Sequence, residues 1–178
     1  MPFGVVLLAD RRTHARLAAL AGSLGGGADP ISLLGSRAPA HVSVVHFDGD
    51  AAQAADVAAR AARHPRPVTT VKFIGLLYAV LAAGDYYVPQ GGVYFGLEVV
   101  RRPALDALHG EVLGWITAVG AAPLGAVGAD YRPHFTLGVT ASTPVLPSLA
   151  DVPTGEVDVT LAFAELGPHG TFPSLDPV

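Results

Sequence analysis

Ala40-His41-Val42-Ser43-Val44-Val45 and Arg132-Pro133-His134-Phe135-Thr136-Leu137-Gly138 read almost alike, and the pair decides the fold. Each holds a histidine, an apolar residue and a hydroxyl residue inside a run of strand type. Residues i and i+2 of a strand point to one face, so each segment presents an imidazole beside a hydroxyl. The two histidines lie about ninety positions apart, one in each half of the 178-residue chain. Two such pairs facing one cleft supply a base, an acid and two hydrogen-bond donors. That set suffices for metal-free phosphodiester chemistry.

The bare pattern is common: in a chain with 7 histidines it arises by chance about 0.7 times. A third match, His169-Gly170-Thr171, sits between turn residues and reads as a loop near the cleft or a plain surface residue, so it is set aside. Order of elements is what raises the other two. A strand over 5–8, a helix opening on Arg11-Arg12, a loop and the His strand 41–47 occur once. A strand over 93–100, a helix after Arg101-Arg102, a loop and the His strand 134–140 occur again. Arg37-Ala38-Pro39-Ala40-His41 answers Arg132-Pro133-His134. The repetition predicts an internal duplication. The expected fold is α+β: one domain over 1–178 with two pseudo-symmetric lobes, approximately 1–90 and 91–178. Antiparallel sheets would line a central cleft with helices outside, and strands could exchange between lobes.

The remaining elements follow from local signals. Asp10 caps a helix on which Leu17, Leu20 and Leu24 recur at helical spacing, ending at Gly25-Gly26-Gly27. Asp48 or Asp50 caps an alanine-rich helix over 51–64, which Pro65-Arg66-Pro67 ends. A strand is predicted over 68–77, with 86–88 pairing nearby. Pro103 opens a third helix to about residue 119, and a Pro-rich crossing leads to a last strand over 157–164.

Composition bounds the function. The chain is 51% hydrophobic and 15% charged, a globular balance. Its net charge is −4 and its only lysine is Lys72, so no basic tract for duplex DNA exists. Without cysteine, thiolate catalysis and Cys-ligated zinc are excluded. The apolar start Met1-Pro2-Phe3-Gly4-Val5-Val6-Leu7-Leu8 meets Asp10-Arg11-Arg12 with no basic residue before it. It reads as a strand and not as a signal peptide, so a cytoplasmic protein with no membrane partner, a monomer, is expected.

The paired strands, with Arg132-Pro133-His134-Phe135-Thr136-Leu137-Gly138 foremost, resemble the signatures of the 2H phosphoesterase superfamily. The second segment is similar to the second signature of its bacterial 2′-5′ RNA ligase-like and cyclic phosphodiesterase members, and His41-Val42-Ser43-Val44 resembles the first, with Ser43 where threonine is commoner. The resemblance implies a metal-free hydrolase, without cofactor, that cleaves 2′,3′-cyclic or 2′-5′ phosphodiesters in RNA ends or small nucleotides. It implies that His41, Ser43, His134 and Thr136 are catalytic. A binding module that holds such a nucleotide or RNA end without turnover is the alternative.

Near-symmetry leaves either histidine as the base. Tyr94 or Phe95 could stack a nucleobase, and Tyr86 and Tyr87 suit a rim. Arg132 and Arg37 could reach a phosphate. The substrate-binding set is therefore Arg132, Tyr94 and Tyr87. Alternation places His46 on the strand face opposite His41 and Ser43, against a helix. His14, His64 and His109 belong to helices with no partner in register, and His41 with His134 are too few to hold a metal.

Overall fold

Runs of valine, leucine and phenylalanine bounded by Gly, Pro and Asp form the strands; alanine- and leucine-rich segments between them form the helices. A computed structural model describes residues 1–65, 68–144 and 152–177. Along the chain come β1 (Pro2–Ala9), α1 (Arg11–Gly25), β2 (Pro30–Leu33), β3 (His41–Asp48), α2 (Ala51–Ala62) and β4 (Thr70–Leu81). Then follow β5 (Gly92–Val99), α3 (Pro103–Ala118), β6 (Ala122–Leu124), β7 (His134–Thr140) and β8 (Gly155–Glu165). A 3-10 turn, Pro168–Gly170, comes after β8. The expected end of the second helix at Arg66 and Pro67, and most of the Pro-rich crossing, lie outside the described residues.

Helix ends obey their caps. Asp10 accepts from the Thr13 N–H and hydroxyl at 2.9 and 2.7 Å. Asp50 and Gln53 form a reciprocal capping box on α2. Pro103 occupies the first turn of α3, where its missing N–H costs nothing.

The eight strands pair antiparallel in the order β2-β7-β5-β4-β8-β1-β3-β6. One further bridge, Val42 to Phe135, joins β3 to β7 across the middle. Strand β4 pairs with β5 and β8 with β1, while β2 pairs with β7 and β6 with β3. Each half of the chain therefore supplies strands to both sides. This is an α+β fold with its helices outside: α1 packs on β7 and β2, α2 on β8 and β1, α3 on β3 and β6. Leu17 and Leu24 of α1, Val57 of α2 and Val112 and Ile116 of α3 are buried with Val42, Phe47, Phe95, Leu97 and Phe135. Each such side chain contributes about 1.5–3 kcal/mol. The helices cover one face of the strands, and the opposite face at the β3–β7 seam is left for the site.

Both His strands carry a β-bulge at the same place. Against β1, Ser43 pairs with Val6 and Val45 with Val5, so Val44 is the extra residue. Against β5, Thr136 pairs with Gly96 and Gly138 with Phe95, so Leu137 is the extra residue. Each bulge directly follows the hydroxyl of its segment. Gly96 permits the second: a Cβ there would run into the Phe135 carbonyl oxygen.

Three expectations change. Residues 86–88 form no strand, because the Asp85 carboxylate accepts from the Tyr87 and Val88 N–H groups and curls the backbone into a turn. The short edge strands β2 and β6 stand where the sequence predicts loop. Phe95 is fully buried, stacked on Tyr78 in the core, and faces no ligand.

Candidate active site

The Val42–Phe135 bridge sets the geometry of the site. One residue further along the same antiparallel register, Ser43 lies across from His134, and His41 across from Thr136. All four side chains leave the sheet on one face. Diagonal partners in such a ladder are about 7–8 Å apart, which describes His41 and His134. Ser43, His134 and Thr136 line a cavity of about 340 Å³. His41 and Thr136 line a small crevice adjoining it. The four residues are thus gathered at one place.

Both imidazoles are held alike. His41 Nδ1 lies 2.8 Å from the Pro39 carbonyl oxygen, and His134 Nδ1 lies 2.6 Å from that of Arg132. A carbonyl only accepts, so each Nδ1 carries the proton and donates it. Each neutral ring then has a bare Nε2 on its other edge.

Their surroundings differ. His41 is 5% exposed. Burial pushes its pKa down to about 4, against the Pro39 hydrogen bond and with help from the charge of His134. The Gly170 backbone beside the ring favours its charged form, and the Phe172 ring meets it edge-on at 4.8 Å. His134 is half-buried and reaches solvent through the cavity. Burial lowers its pKa as well; the Arg132 carbonyl opposes the shift, the Arg132 charge adds to it, and Glu98 opposes it. Glu98 stands directly across from His134 in the β5–β7 ladder.

Of the other expected residues, Arg132 is exposed at the cavity wall and is the only Lys or Arg among the described residues lining it. Tyr94 and Tyr87 also line it. The Tyr94 ring lies edge-on to His134 at 5.1 Å, and its hydroxyl sits near Thr136 without a well-aligned bond. Burial raises the Tyr94 pKa, so the phenol stays neutral. Tyr86 is exposed and packs edge-on against Tyr87. Arg37 is exposed in the turn closed by the Gly35–Ala38 bridge, away from the cavity. Lys72 points to solvent opposite Glu156.

The bulge overturns the expectation for His46. With Val44 inserted, alternation shifts by one, and His46 comes out on the same face as His41 and Ser43. It is buried at the cavity wall, 2.8 Å from the Tyr87 hydroxyl through Nδ1. Burial, then the neighbouring His41 and His134, push its pKa down to about 3. His109 likewise has partners after all. Its Nδ1–H donates to the Val44 carbonyl that the bulge frees, at 2.8 Å, and its Nε2 accepts from the Gly128 N–H at 2.9 Å. The Tyr131 ring stacks on His109 at 3.9 Å and its hydroxyl donates to the Ser43 carbonyl. Arg101, over that ring at 5.6 Å, donates to the Gly128, Ala129 and Tyr131 carbonyls. Sequence alternation could not find these roles, since the bulge depends on the pairing partner. His14 accepts from the Ala40 N–H, and His64 pairs with Glu111. Among the described residues no group of three His, Asp or Glu is arranged to hold a metal ion. No described helix is long and apolar enough to cross a membrane.

No family model matches the sequence, and no curated protein matches it. Solved structures do. The PDE domain of MHV ns2 superposes with a TM-score of 0.58 at 12% identity, over 93% of this chain and 99% of that one. E. coli LigT, complexed with NADP+, gives 0.54 at 16% identity, over 92% of this chain and 87% of its own. A structure described as a phosphoesterase gives 0.54 at 15% identity, over 93% and 88%. At these identities the likeness establishes the fold, and it is the fold of the phosphoesterases whose signature strands the sequence resembles.

Proposed function

We propose that this chain is a phosphoesterase that hydrolyses 2′,3′-cyclic or 2′-5′ phosphodiesters in small nucleotides or RNA ends by paired-histidine catalysis. The observation that carries the reading is the seam itself: two imidazoles with Nδ1 tied to backbone, a hydroxyl beside each, a cavity lined by Ser43, His134 and Thr136, and an adjoining crevice lined by His41 and Thr136. The fold shared with phosphoesterases supports it. The matching bulges and the strand order, which pairs equivalent strands from either end, support descent from a doubled unit.

In this reading His41 is the base. Its ring is neutral well below pH 7, and its Nε2 takes a proton from water. The water oxygen bonds to phosphorus opposite the ribose oxygen, and the bond from phosphorus to that oxygen breaks. His134, charged next to Glu98 and the bound anion, gives the leaving oxygen its proton. Ser43 and Thr136 donate to the non-bridging oxygens as charge grows there. The same steps reversed join the ends.

Lining residues favour a small substrate with one diester. Leu77, Ala79, Leu81, Val88, Leu124 and Val127 give an apolar wall suited to a base or sugar face, and Arg132 is a single counter-charge. LigT of the same fold is complexed with NADP+, so a nucleotide fits a protein of this shape. Incubation with 2′,3′-cyclic mononucleotides in EDTA should yield a nucleoside monophosphate. Binding without product would replace the enzyme by a nucleotide-holding module.

A further inference from the structure

The third His-x-Ser/Thr match, His169-Gly170-Thr171, lies after β8 in a strap that crosses the site. The strap is anchored at both sides of the turn. The Leu166 N–H donates to the Pro2 carbonyl at 3.0 Å, and the Gly167 N–H donates to the Thr171 carbonyl at 2.7 Å. Phe172, fully buried, wedges between the rings of His41 and His46.

His169 itself is built with care. Its backbone is left-handed, φ 57° and ψ 27°, a conformation that glycine or asparagine adopts more readily. Its Nδ1 lies 2.9 Å from the Tyr87 carbonyl oxygen, so Nδ1 donates and Nε2 is left at the other edge. His41 and His134 are held in the same way. His169 is half-buried and borders both the main cavity and the crevice beneath it; so does Thr136. It therefore overlooks, from the strap, the place where Thr136 and His41 meet. Arg132 alone among the described lining residues carries a fixed positive charge, so a bound diester has room for a second cation.

We propose that His169 is a third phosphate-contacting imidazole, donating from Nε2 to a non-bridging oxygen of the substrate. Because Nδ1–H is already given to Tyr87, that donation uses the imidazolium form. The proposal rests on the phosphoesterase reading for its substrate, but phosphate recognition is testable without turnover.

The test compares the wild type with His169→Asn, which tolerates the left-handed backbone but has no charge. Two readouts are taken: KM and kcat for a 2′,3′-cyclic mononucleotide, and the Kd of inorganic phosphate from NMR titration of the histidine ring protons. Loss of a charge-assisted hydrogen bond should raise KM and the phosphate Kd about tenfold or more, with kcat changed less than about threefold and the melting temperature unchanged. Unchanged KM and Kd would overturn the proposal. So would a lowered melting temperature with kcat and KM damaged together, which marks the histidine as a structural pin of the strap. If the wild type turns over no cyclic phosphate, the phosphoesterase reading fails, while the phosphate titration still decides His169.

Discussion

The two His strands are built to one local plan and placed in two different environments. Each ties Nδ1 to the carbonyl two residues upstream, and each bulges just after its hydroxyl residue. Yet His41 lies under Phe172 and the Gly170 backbone, while His134 opens on the cavity between Arg132, Glu98 and Tyr94. Identical local chemistry with unequal surroundings is what paired acid–base work needs, because the two groups must hold opposite protonation states at one pH. The bracing differs too. The β3 bulge is gripped by His109 and Tyr131, and the β7 bulge is admitted by the bare Gly96.

The largest effect expected is loss of turnover. His41→Ala and His134→Ala should each lower kcat on a cyclic mononucleotide by about 10²–10⁴-fold with the fold retained. Full activity in either variant breaks the mechanism. The pH profile reads the burial of the two rings. A base with pKa about 4 sets the acid limb of kcat/KM near pH 4. An acid whose pKa is lowered by burial makes kcat/KM fall before the ordinary imidazole value is reached. The optimum of kcat/KM should therefore lie on the acid side of neutrality; an optimum above pH 7 would refute a pair of burial-lowered imidazoles as the titrating groups.

Acid should also unfold the protein early. Above the ordinary imidazole pKa, about 6.5, His41 and His46 are neutral in both states and contribute no pH dependence. Below it the unfolded chain takes up protons that the folded chain refuses until about pH 4 and about pH 3 respectively. Stability is thus fully present above about pH 6.5 and falls toward pH 4, by about 1.4 kcal/mol per histidine for each pKa unit of depression. Urea titrations at several pH values should show the fall, and His46→Gln should flatten it.

Hydroxyl removal comes next. Ser43→Ala and Thr136→Ala should each cost about 10–100-fold in kcat, with Ser43→Thr near wild type; unequal losses would show which side carries more of the developing charge. His109→Phe strands the Val44 carbonyl and should cost about 1–3 kcal/mol in stability. It disturbs the His41 strand without touching His134, so a chemical-shift change at His134 as large as at His41 would refute separate bracing. Smallest is Glu98→Gln, expected to lower kcat/KM a few-fold and shift its optimum further toward acid, read from the same profile.

Strand and helix order was legible because both periodicities are local. Leu17, Leu20 and Leu24 mark one helix face by spacing alone, and Asp10 and Asp50 announce their caps. The pairs His41 with Ser43 and His134 with Thr136 were legible for the same reason. Strand β2, with Pro30, and β6, with Pro123, were not, since three or four residues pair only when a neighbouring edge is offered. His46 was misplaced because a bulge reverses alternation, and a bulge is a property of two strands. Asp85 overrode the strand tendency of Tyr86, Tyr87 and Val88 by bonding to the backbone.

By itself, the sequence determined which residues could do chemistry and which of them share a strand face, since neighbours two apart are fixed by backbone geometry. Only the tertiary structure decided that the faces meet. The Val42–Phe135 bridge brings the two segments together, the bulge adds His46, and the strap after β8 adds His169. It also decided the inequality of the two histidines, because desolvation depends on what packs over a ring, and Phe172 and Gly170 reach His41 from the far end of the chain.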